Sequence, residues 1–256
     1  MSKNFELMEQ AEKRSQFRSS GKLELTIPVI GENANAKRQR NRSQPDLENL
    51  ASEEVLRLVQ RVFLLQTQEL PRSVVFASID HGGGCSRICA QAAETLARNI
   101  RGSVCLVEAN LRSPSLPAVF GTTNHHGLTE SLLQEGSVRS FTRPVYAANL
   151  WLLSSGTLAP DSPELLNSDS LKSRFAELRK EFDFVLVDAP PLTRYSDAVV
   201  LGQISDGLIL VLEANSTRRE AALQVAESLH ASNVRVLGAV LNKRTFPIPE
   251  TLYKKL

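Results

Sequence analysis

The stretch SIDHGGGCSR contains three consecutive glycines, Gly82, Gly83 and Gly84. They are followed by Cys85 and then by the hydroxyl side chain of Ser86. Glycines let backbone N–H groups turn inward around an anion, and a helix that starts behind them adds the positive end of its dipole. Such a loop holds nucleotide phosphates, with a lysine after the last glycine and a hydroxyl on Mg²⁺. Ser86 can still bind the metal, whereas Cys85 stands at the lysine position and cannot supply its charge.

Carboxylates end two other apolar runs of the chain. The run FVLVD ends in Asp188, and the run VCLVEAN contains Glu108 and Asn110. A carboxylate directly after a buried strand can reach Mg²⁺ or its water, although an aspartate in such a turn also caps helices. We therefore predict Asp188 as a metal ligand together with Ser86. Asn110 can act neither as a base nor as a negative metal partner.

Two alternatives stay open at the glycine loop. Three glycines before a helix also fit a plain tight turn, so the loop is weak support without the other strand ends. Arg87 follows Ser86 and offers a replacement cation for the phosphates, but two residues past Cys85 on a helix it can also face elsewhere.

Short β-branched runs alternate with amphipathic helical patterns through most of the chain. The runs SVVFAS, SVCLVEA, DFVLVDA, DGLILVLEA and VRVLGAVLN are apolar on both faces. Strands of this kind, separated by helices, predict a parallel sheet that is covered on both sides. The predicted fold is a doubly wound α/β domain with a mostly parallel sheet, which binds ligands at the carboxyl ends of its strands.

The beginning of the chain differs in composition from the rest. Residues 1–50 are polar and show little apolar periodicity, so we expect a mobile tail there and a single domain over residues 51–256. The segment SQPDLENLASEEVLRLVQRVFLLQ predicts the first helix of that domain. Ser52 is its predicted cap, and its predicted apolar face consists of Leu56, Val59, Phe63 and Leu64.

The composition excludes several classes of protein. The 256 residues carry a net charge of +2, which does not indicate a nucleic-acid partner. No apolar run approaches the roughly 20 residues of a membrane helix, and the polar start has no signal-peptide stretch. We therefore expect a cytoplasmic protein without a nucleic-acid partner. Its three cysteines, Cys85, Cys89 and Cys105, should be reduced and mostly buried.

Taken in order, these motifs resemble the cytoplasmic kinase domain of bacterial tyrosine kinases, a capsule and exopolysaccharide family related to the MinD and ParA ATPases. The resemblance lies in three motifs: FASIDHGGGCSR is similar to F-T-S-A-x-P-G-E-G-K-S-T, VEANLRSP to I-D-A-D-L-R-R-P, and FDFVLVDAPP to F-D-x-V-I-I-D-T-P-P. Residues 152–183 resemble a further segment of the family. The resemblance covers about residues 44–250 and implies a P-loop NTPase fold of the MinD and ParA type.

The resemblance also implies catalytic residues, ligands and partners. Glu108 and Asp188 match carboxylates of the family's second and third motifs, and the resemblance makes them the candidate catalytic residues. ATP or ADP with Mg²⁺ would bind around residues 82–87, and Asn242 would recognise adenine, although a strand-end amide in a turn is an equal alternative. The implied partner is a membrane polysaccharide co-polymerase, of the chain-length type, which would hold the protein peripherally at the inner membrane. Glu54 and Arg57 match part of an oligomer motif, or form ordinary helix-surface charge. Tyr253 is the implied phosphoacceptor.

Departures from the family pattern fall on the residues that carry chemistry. Cys85 replaces the lysine, Glu108 and Asn110 replace two aspartates, and Tyr253 is the only tyrosine of the C-terminal tail. The third charged position of the oligomer motif is Gln60. Losing the lysine should cost on the order of several kcal/mol of transition-state stabilisation.

Three functions follow from these observations. The first is a pseudokinase with weak or lost nucleotide binding that acts as a structural or regulatory subunit of polysaccharide polymerisation and export. The second is an active ATP-dependent tyrosine autokinase or ATPase, in which Arg87 or a neighbouring subunit's cation replaces the lysine. The third is a ParA-like or MinD-like surface binder, which only the basic clusters near both ends of the chain favour.

Overall fold

The computed structural model describes residues 45–65, 70–146, 148–157 and 162–244. Within these ranges seven strands form one sheet: β1 (Ser73–Ser78), β2 (Val104–Glu108), β3 (Arg143–Pro144), β4 (Leu150–Leu153), β5 (Phe184–Asp188), β6 (Gly207–Glu213) and β7 (Val236–Asn242). The strand order is β3-β4-β2-β5-β1-β6-β7. Neighbouring strands run parallel except β3, which pairs antiparallel with β4. The predicted doubly wound, mostly parallel α/β fold is confirmed.

Helices connect the strands and cover both faces of the sheet. They are α1 (Pro45–Val59), α2 (Cys85–Asn99), α3 (Leu116–Val119), α4 (Leu128–Leu133), α5 (Asp169–Glu181), α6 (Asp197–Gln203) and α7 (Arg219–Ala231). A π-helical turn over Gln60–Leu64 extends α1, and 3-10 turns span Val138–Phe141 and Ser162–Asn167. Among the described helices, none combines the length and the apolar character that crossing a bilayer requires.

The interior strand β1 shows why the sheet must be covered on both sides. Successive side chains of a strand point to opposite faces, and every residue of β1 is buried. Val74 and Phe76 belong to a core formed with α1 and α2. Val75 and Ala77 belong to a second core, which includes residues of α5, α6 and α7. The continuous apolar pattern of β1 therefore reflects burial between two helical layers.

The first helix starts earlier than the sequence pattern predicted. α1 begins at Pro45, so the prediction that Ser52 caps it is wrong. Proline is favoured in the first helical turn because its missing N–H has no intrahelical acceptor there, and this competing start signal prevails. Val59 and Phe63 are buried as predicted, whereas Leu56 and Leu64 are only partly buried. The buried face is completed by Val55, Leu58 and Val62.

The sheet brings three chain segments together at one edge. β1 lies between β5 and β6, and β5 lies between β1 and β2. Because these strands are parallel, the loops that follow β1, β2 and β5 leave the sheet at the same carboxyl edge. Those loops and the ends of those strands carry the candidate residues of the nucleotide site, apart from Asn242, which ends β7. Residues 1–44 and Tyr253 lie outside the described residues.

Candidate nucleotide site

The glycine loop joins β1 to α2, in the predicted order of strand, loop and helix. Gly82 and Gly84 have φ angles of 87° and 78°, in the left-handed region that glycine adopts without steric cost. Gly84 also lacks room for a side chain, since an added Cβ atom would lie 2.3 Å from Asn242 Nδ2. α2 is 15 residues long, and its dipole and first N–H groups face the loop. The loop therefore has the shape of an anion-binding site.

A cavity of about 350 Å³ opens over this loop. Residues 82–87 and Asn110 contribute to its wall, so the structure brings these sequence candidates together. The sequence did not point to several other lining residues: Ser78, Ser113, Ser115, Val119, Ala189 and Pro191. All of them lie at the end of β1 or in the segments that follow β2 and β5. Their position after parallel strands was the signal that could have found them.

Arg87 lines the cavity with an exposed side chain. Of the two orientations that the sequence allowed, the structure therefore has the one near the loop. Among the described residues of the cavity wall, Arg87 carries the one permanent positive charge. It is the candidate that the structure offers for contact with a phosphate group.

Asp188 ends β5 and is paired in register with Glu108 at the end of β2. Both side chains are fully buried. Burial raises the pKa of Asp188 to about 6, and the neighbouring Ser86, Cys85 and Glu108 side chains offset part of that rise. Nevertheless, neither carboxylate oxygen of Asp188 has a hydrogen-bond partner of normal geometry among the described residues. A buried carboxylate in this state is a candidate ligand for a cation.

Glu108 is held by the backbone of the segment that follows β2. Its Oε2 atom accepts hydrogen bonds from the N–H groups of Ser115 at 2.7 Å and Leu116 at 2.8 Å, and its Oε1 atom accepts one from Asn110 at 3.3 Å. Burial, followed by the negative charge of Asp188, raises the pKa of Glu108 to about 8, while these three bonds oppose the rise. The carboxyl group thus fixes the loop that forms one wall of the cavity.

Cys85 has a buried side chain at the first position of α2. Burial, and then the negative charge of Asp188, raises the pKa of its thiol well above the usual range. The group is therefore a neutral thiol, and it adds no positive charge to the loop. Cys89 and Cys105 are also free and buried, as predicted for all three cysteines.

The residues present fit Mg²⁺ better than they fit a phosphate chain. The Ser86 hydroxyl and the unpartnered oxygens of Asp188 are the hard oxygen ligands that Mg²⁺ prefers. The loop offers backbone N–H groups to phosphates but has a thiol in place of the lysine. Mg²⁺ at Ser86 and Asp188 would supply positive charge to a bound phosphate.

Asn242 lies under the loop and not in the cavity wall. Its side chain is 1% exposed, its Nδ2 amide donates to the carbonyl oxygen of Gly83, and its Oδ1 atom accepts from the N–H of Lys243. The structure thus shows the Asn242 amide bonded to the loop backbone, and its contact with adenine stays a prediction. The sequence alone had kept a strand-end amide in a turn as an equal alternative.

An ion pair that was not predicted from the sequence connects two segments at the same edge of the sheet. Arg112, in the segment after β2, lies 3.2 Å from Asp197 at the start of α6. Its guanidinium group also stacks over the ring of Tyr195, 4.0 Å from the ring centre. This contact joins the segment after β2 to the segment after β5. A guanidinium that is both paired and stacked holds its neighbours more firmly than an ammonium can.

Glu54 and Arg57 lie one turn apart on α1, away from the glycine loop. They form an ion pair with each other, and Arg57 also approaches Glu53 at 3.9 Å. Such pairs on a helix surface contribute only a few tenths of a kcal/mol to stability. The part that these two residues play in an oligomer stays a prediction.

The chain is similar to proteins of known name over most of its length. A family profile described as ParA, NUBPL iron-transfer P-loop NTPase, matches residues 70–255. Tyrosine-protein kinase YwqD of Bacillus subtilis is 30% identical over 215 residues, which cover 84% of this chain and 90% of the relative. Putative tyrosine-protein kinase CapB of Staphylococcus aureus is 27% identical over 172 residues, covering 67% of this chain and 75% of the relative.

Solved structures show the same fold. The kinase domain of Escherichia coli tyrosine kinase ETK superposes with a TM-score of 0.74 at 22% identity, covering 88% of this chain and 93% of that chain. The chimerical protein CapA2B2 gives a TM-score of 0.75 at 21% identity, covering 91% and 99%. The P-loop architecture described above agrees with these similarities. The chain therefore belongs to the bacterial tyrosine kinase family of ParA-related P-loop NTPases.

Proposed function

We propose that this chain is a tyrosine-kinase-like protein with a degenerate nucleotide site, and that its role in capsule or exopolysaccharide synthesis and export is regulatory or structural. The observation that carries the proposal is the neutral, buried thiol of Cys85, which stands where the loop needs a cation. The loop has kept its left-handed glycines and its helix start. Its shape is thus retained while its charge is lost.

The interaction energy that is lost with the lysine is large enough to affect both nucleotide binding and phosphoryl transfer. An ammonium group about 4 Å from a phosphate charge contributes about 4 kcal/mol at the effective dielectric constant near a protein surface. This corresponds to roughly a thousandfold in affinity or rate. Backbone N–H groups and Mg²⁺ at Ser86 and Asp188 remain, so we expect ATP or ADP to bind weakly and phosphoryl transfer to be lost.

The groups that would act on an incoming hydroxyl are also altered. Phosphoryl transfer needs a residue that orients or deprotonates the attacking oxygen. Asn110 has an amide and no basic group. Both oxygens of Glu108 already accept backbone N–H groups, so the residue serves the loop rather than a substrate. These contacts support a site that keeps its backbone structure but lacks the groups that phosphoryl transfer needs.

The proposed partner is a membrane polysaccharide co-polymerase of the chain-length type. Such a partner would hold the chain at the cytoplasmic side of the inner membrane as a peripheral subunit. A homo-oligomer built through Glu54 and Arg57 is part of the same proposal. The support is the family resemblance, together with the partial accessibility of these two side chains on α1.

An active ATP-dependent tyrosine autokinase or ATPase is the second candidate, and the position of Arg87 favours it. Its side chain lines the cavity beside Ser86, so a guanidinium group stands within the site that lacks its lysine. In this alternative Arg87 holds the phosphates, and Ser86 and Asp188 hold Mg²⁺. Tyr253 or a tyrosine of the partner would then accept the phosphoryl group.

A phosphotransfer assay distinguishes the two candidates. The full chain is incubated with γ-labelled ATP and Mg²⁺, alone and with the cytoplasmic part of the co-polymerase, beside Asp188→Ala and Arg87→Ala variants. We expect no label on either protein above the level of the Asp188→Ala variant. Label on Tyr253 or on the partner that both substitutions abolish would contradict the degenerate site and establish the second candidate.

A further inference from the structure

The side chain of Asn242 joins the end of β7 to the glycine loop, 159 residues away in sequence. Its Nδ2 atom lies 2.9 Å from the carbonyl oxygen of Gly83, to which it donates a hydrogen bond. Its Oδ1 atom accepts a hydrogen bond from the Lys243 N–H at 2.8 Å. The residue is buried, so water does not compete for either bond.

By fixing the orientation of the Gly83 carbonyl group, Asn242 also fixes the orientation of the Gly84 N–H group. A trans peptide unit is planar, and its C=O and N–H bonds point in opposite directions. The carbonyl of Gly83 and the N–H of Gly84 belong to one such unit. Asn242 lies outside the cavity wall, whereas Gly84 is part of it. Holding the carbonyl oxygen on the side of Asn242 therefore keeps the Gly84 N–H on the side of the cavity.

Packing makes this hydrogen bond a rigid connection. An added Cβ atom on Gly84 would lie only 2.3 Å from Nδ2, so the amide fills the space beside the loop. The backbone of Asn242 is fixed in turn, because it pairs in register with Glu213 on β6 and its carbonyl accepts the N–H of Ala214 at 2.8 Å. The loop is thus anchored to two neighbouring strands of the sheet.

We infer that Asn242 is a positioning residue, which orients the Gly83–Gly84 peptide for anion binding. The ligand class, a nucleotide phosphate, rests on the proposed function. The orientation of the loop does not, because it depends only on contacts within the chain. Loss of the Asn242 amide should therefore loosen the loop even in the absence of ligand.

The first test measures the loop without ligand. Amide hydrogen exchange of residues 82–86 is compared in the parent, Asn242→Ala and Asn242→Asp, where a carboxylate oxygen would face the Gly83 carbonyl. Asn149→Ala is the matched control, because Asn149 also donates its amide to backbone carbonyls, of Ala97 and Gly102 at 2.9 Å, away from the loop. We expect exchange at residues 82–86 to become at least tenfold faster in both Asn242 variants and to stay unchanged in the control.

The second test measures ligand affinity. Calorimetric titration with ADP and Mg²⁺ is carried out in a Cys85→Lys background, which gives the loop its missing cation. We expect each Asn242 substitution to weaken ADP binding about tenfold, whereas Asn149→Ala leaves the affinity unchanged at a similar loss of stability. A loop that loosens without loss of affinity would overturn the positioning role, and so would unchanged loop exchange in a folded Asn242 variant.

A mutation-free measurement covers the case in which the Asn242 variants do not fold. In the parent protein, the Asn242 side-chain amide protons should exchange at least tenfold more slowly than those of an exposed asparagine. Exchange at the rate of an exposed amide would overturn the inference. If the Cys85→Lys protein binds no ADP, the proposed nucleotide site fails, while both exchange measurements still decide the role of Asn242.

Discussion

Gly84 is the position where a single added methyl group should disturb the glycine loop most. Its φ angle of 78° costs a non-glycine residue about 1–2 kcal/mol. The new Cβ atom would lie 2.3 Å from Asn242 Nδ2, and relief of such overpacking costs a further ~1–3 kcal/mol. We therefore expect Gly84→Ala to lower the free energy of unfolding by about 2–5 kcal/mol.

Two other glycines provide matched controls for this substitution. Gly82 and Gly121 also have left-handed φ angles, of 87° and 61°, but no heavy atom beyond the adjacent residues lies within 4 Å of a Cβ added to either. Substitution by alanine at these positions should therefore cost only the backbone contribution of about 1–2 kcal/mol. Urea denaturation followed by circular dichroism measures all three variants. In the double variant Gly84→Ala/Asn242→Ala, the steric part of the loss should disappear.

The comparison can refute the reasoning in two ways. Equal losses for Gly84→Ala, Gly82→Ala and Gly121→Ala would show that the contact with Asn242 carries no energy. Additive losses in the double variant would show that the two residues do not interact, since contacting residues are expected to couple. Either result would remove the packing basis for the anchored loop.

Two further predictions concern the buried carboxyl pair and the first helix. Burial raises the pKa of Glu108 to about 8 and that of Asp188 to about 6, so the folded protein binds protons that the unfolded chain has released. The contribution of this pair to the free energy of unfolding is therefore fully present below about pH 4 and is lost as the pH rises through both pKa values. In buffer containing EDTA, the free energy of unfolding should fall as the pH rises from about 5 to 8.5. The free energy of unfolding should fall by at most about 1.4 kcal/mol per pH unit for each proton. Asp188→Asn should reduce this slope. A stability that stays constant or rises over this pH range would contradict the prediction. Phe63 is fully buried and packs edge-on against Phe184 at 5.9 Å, so Phe63→Ala should cost about 3–5 kcal/mol in urea denaturation. Leu65→Ala, at a residue that is 67% exposed, should change stability by no more than about 0.5 kcal/mol. Comparable losses for the two variants would refute the packing of the π-helical turn that extends α1.

The sequence predicted most of the fold because its strands are buried on both faces. Runs such as SVVFAS have no polar face, and only a parallel sheet between helical layers buries them fully. The start of α1 was less predictable, because Pro45 and Ser52 are competing start signals and local pattern does not rank them. Packing of the buried face, through Val55 and Leu58, stabilises the helix from its middle, which a local start signal does not report.

The sequence predicted the parts of the site that residues adjacent in the chain form, but not the parts that residues far apart in the chain form. Loop residues 82–87 are adjacent in sequence, and they line the cavity together as expected. The bond between Asn242 and Gly83 joins residues on distant strands, so no spacing in the sequence encodes it. The backbone partners of Glu108 depend on the path of the segment after β2, which the residue types leave undetermined.

The degenerate nucleotide site is tested most directly by isothermal titration calorimetry of the purified chain with ATP and with ADP in Mg²⁺. The parent protein is measured beside Cys85→Lys, and beside Cys85→Lys combined with Asp188→Ala. We predict little or no heat from the parent, binding in the Cys85→Lys protein, and loss of that binding when Asp188 is also replaced. Micromolar binding by the parent that Cys85→Lys does not improve would contradict the claim that the loop lacks only its charge.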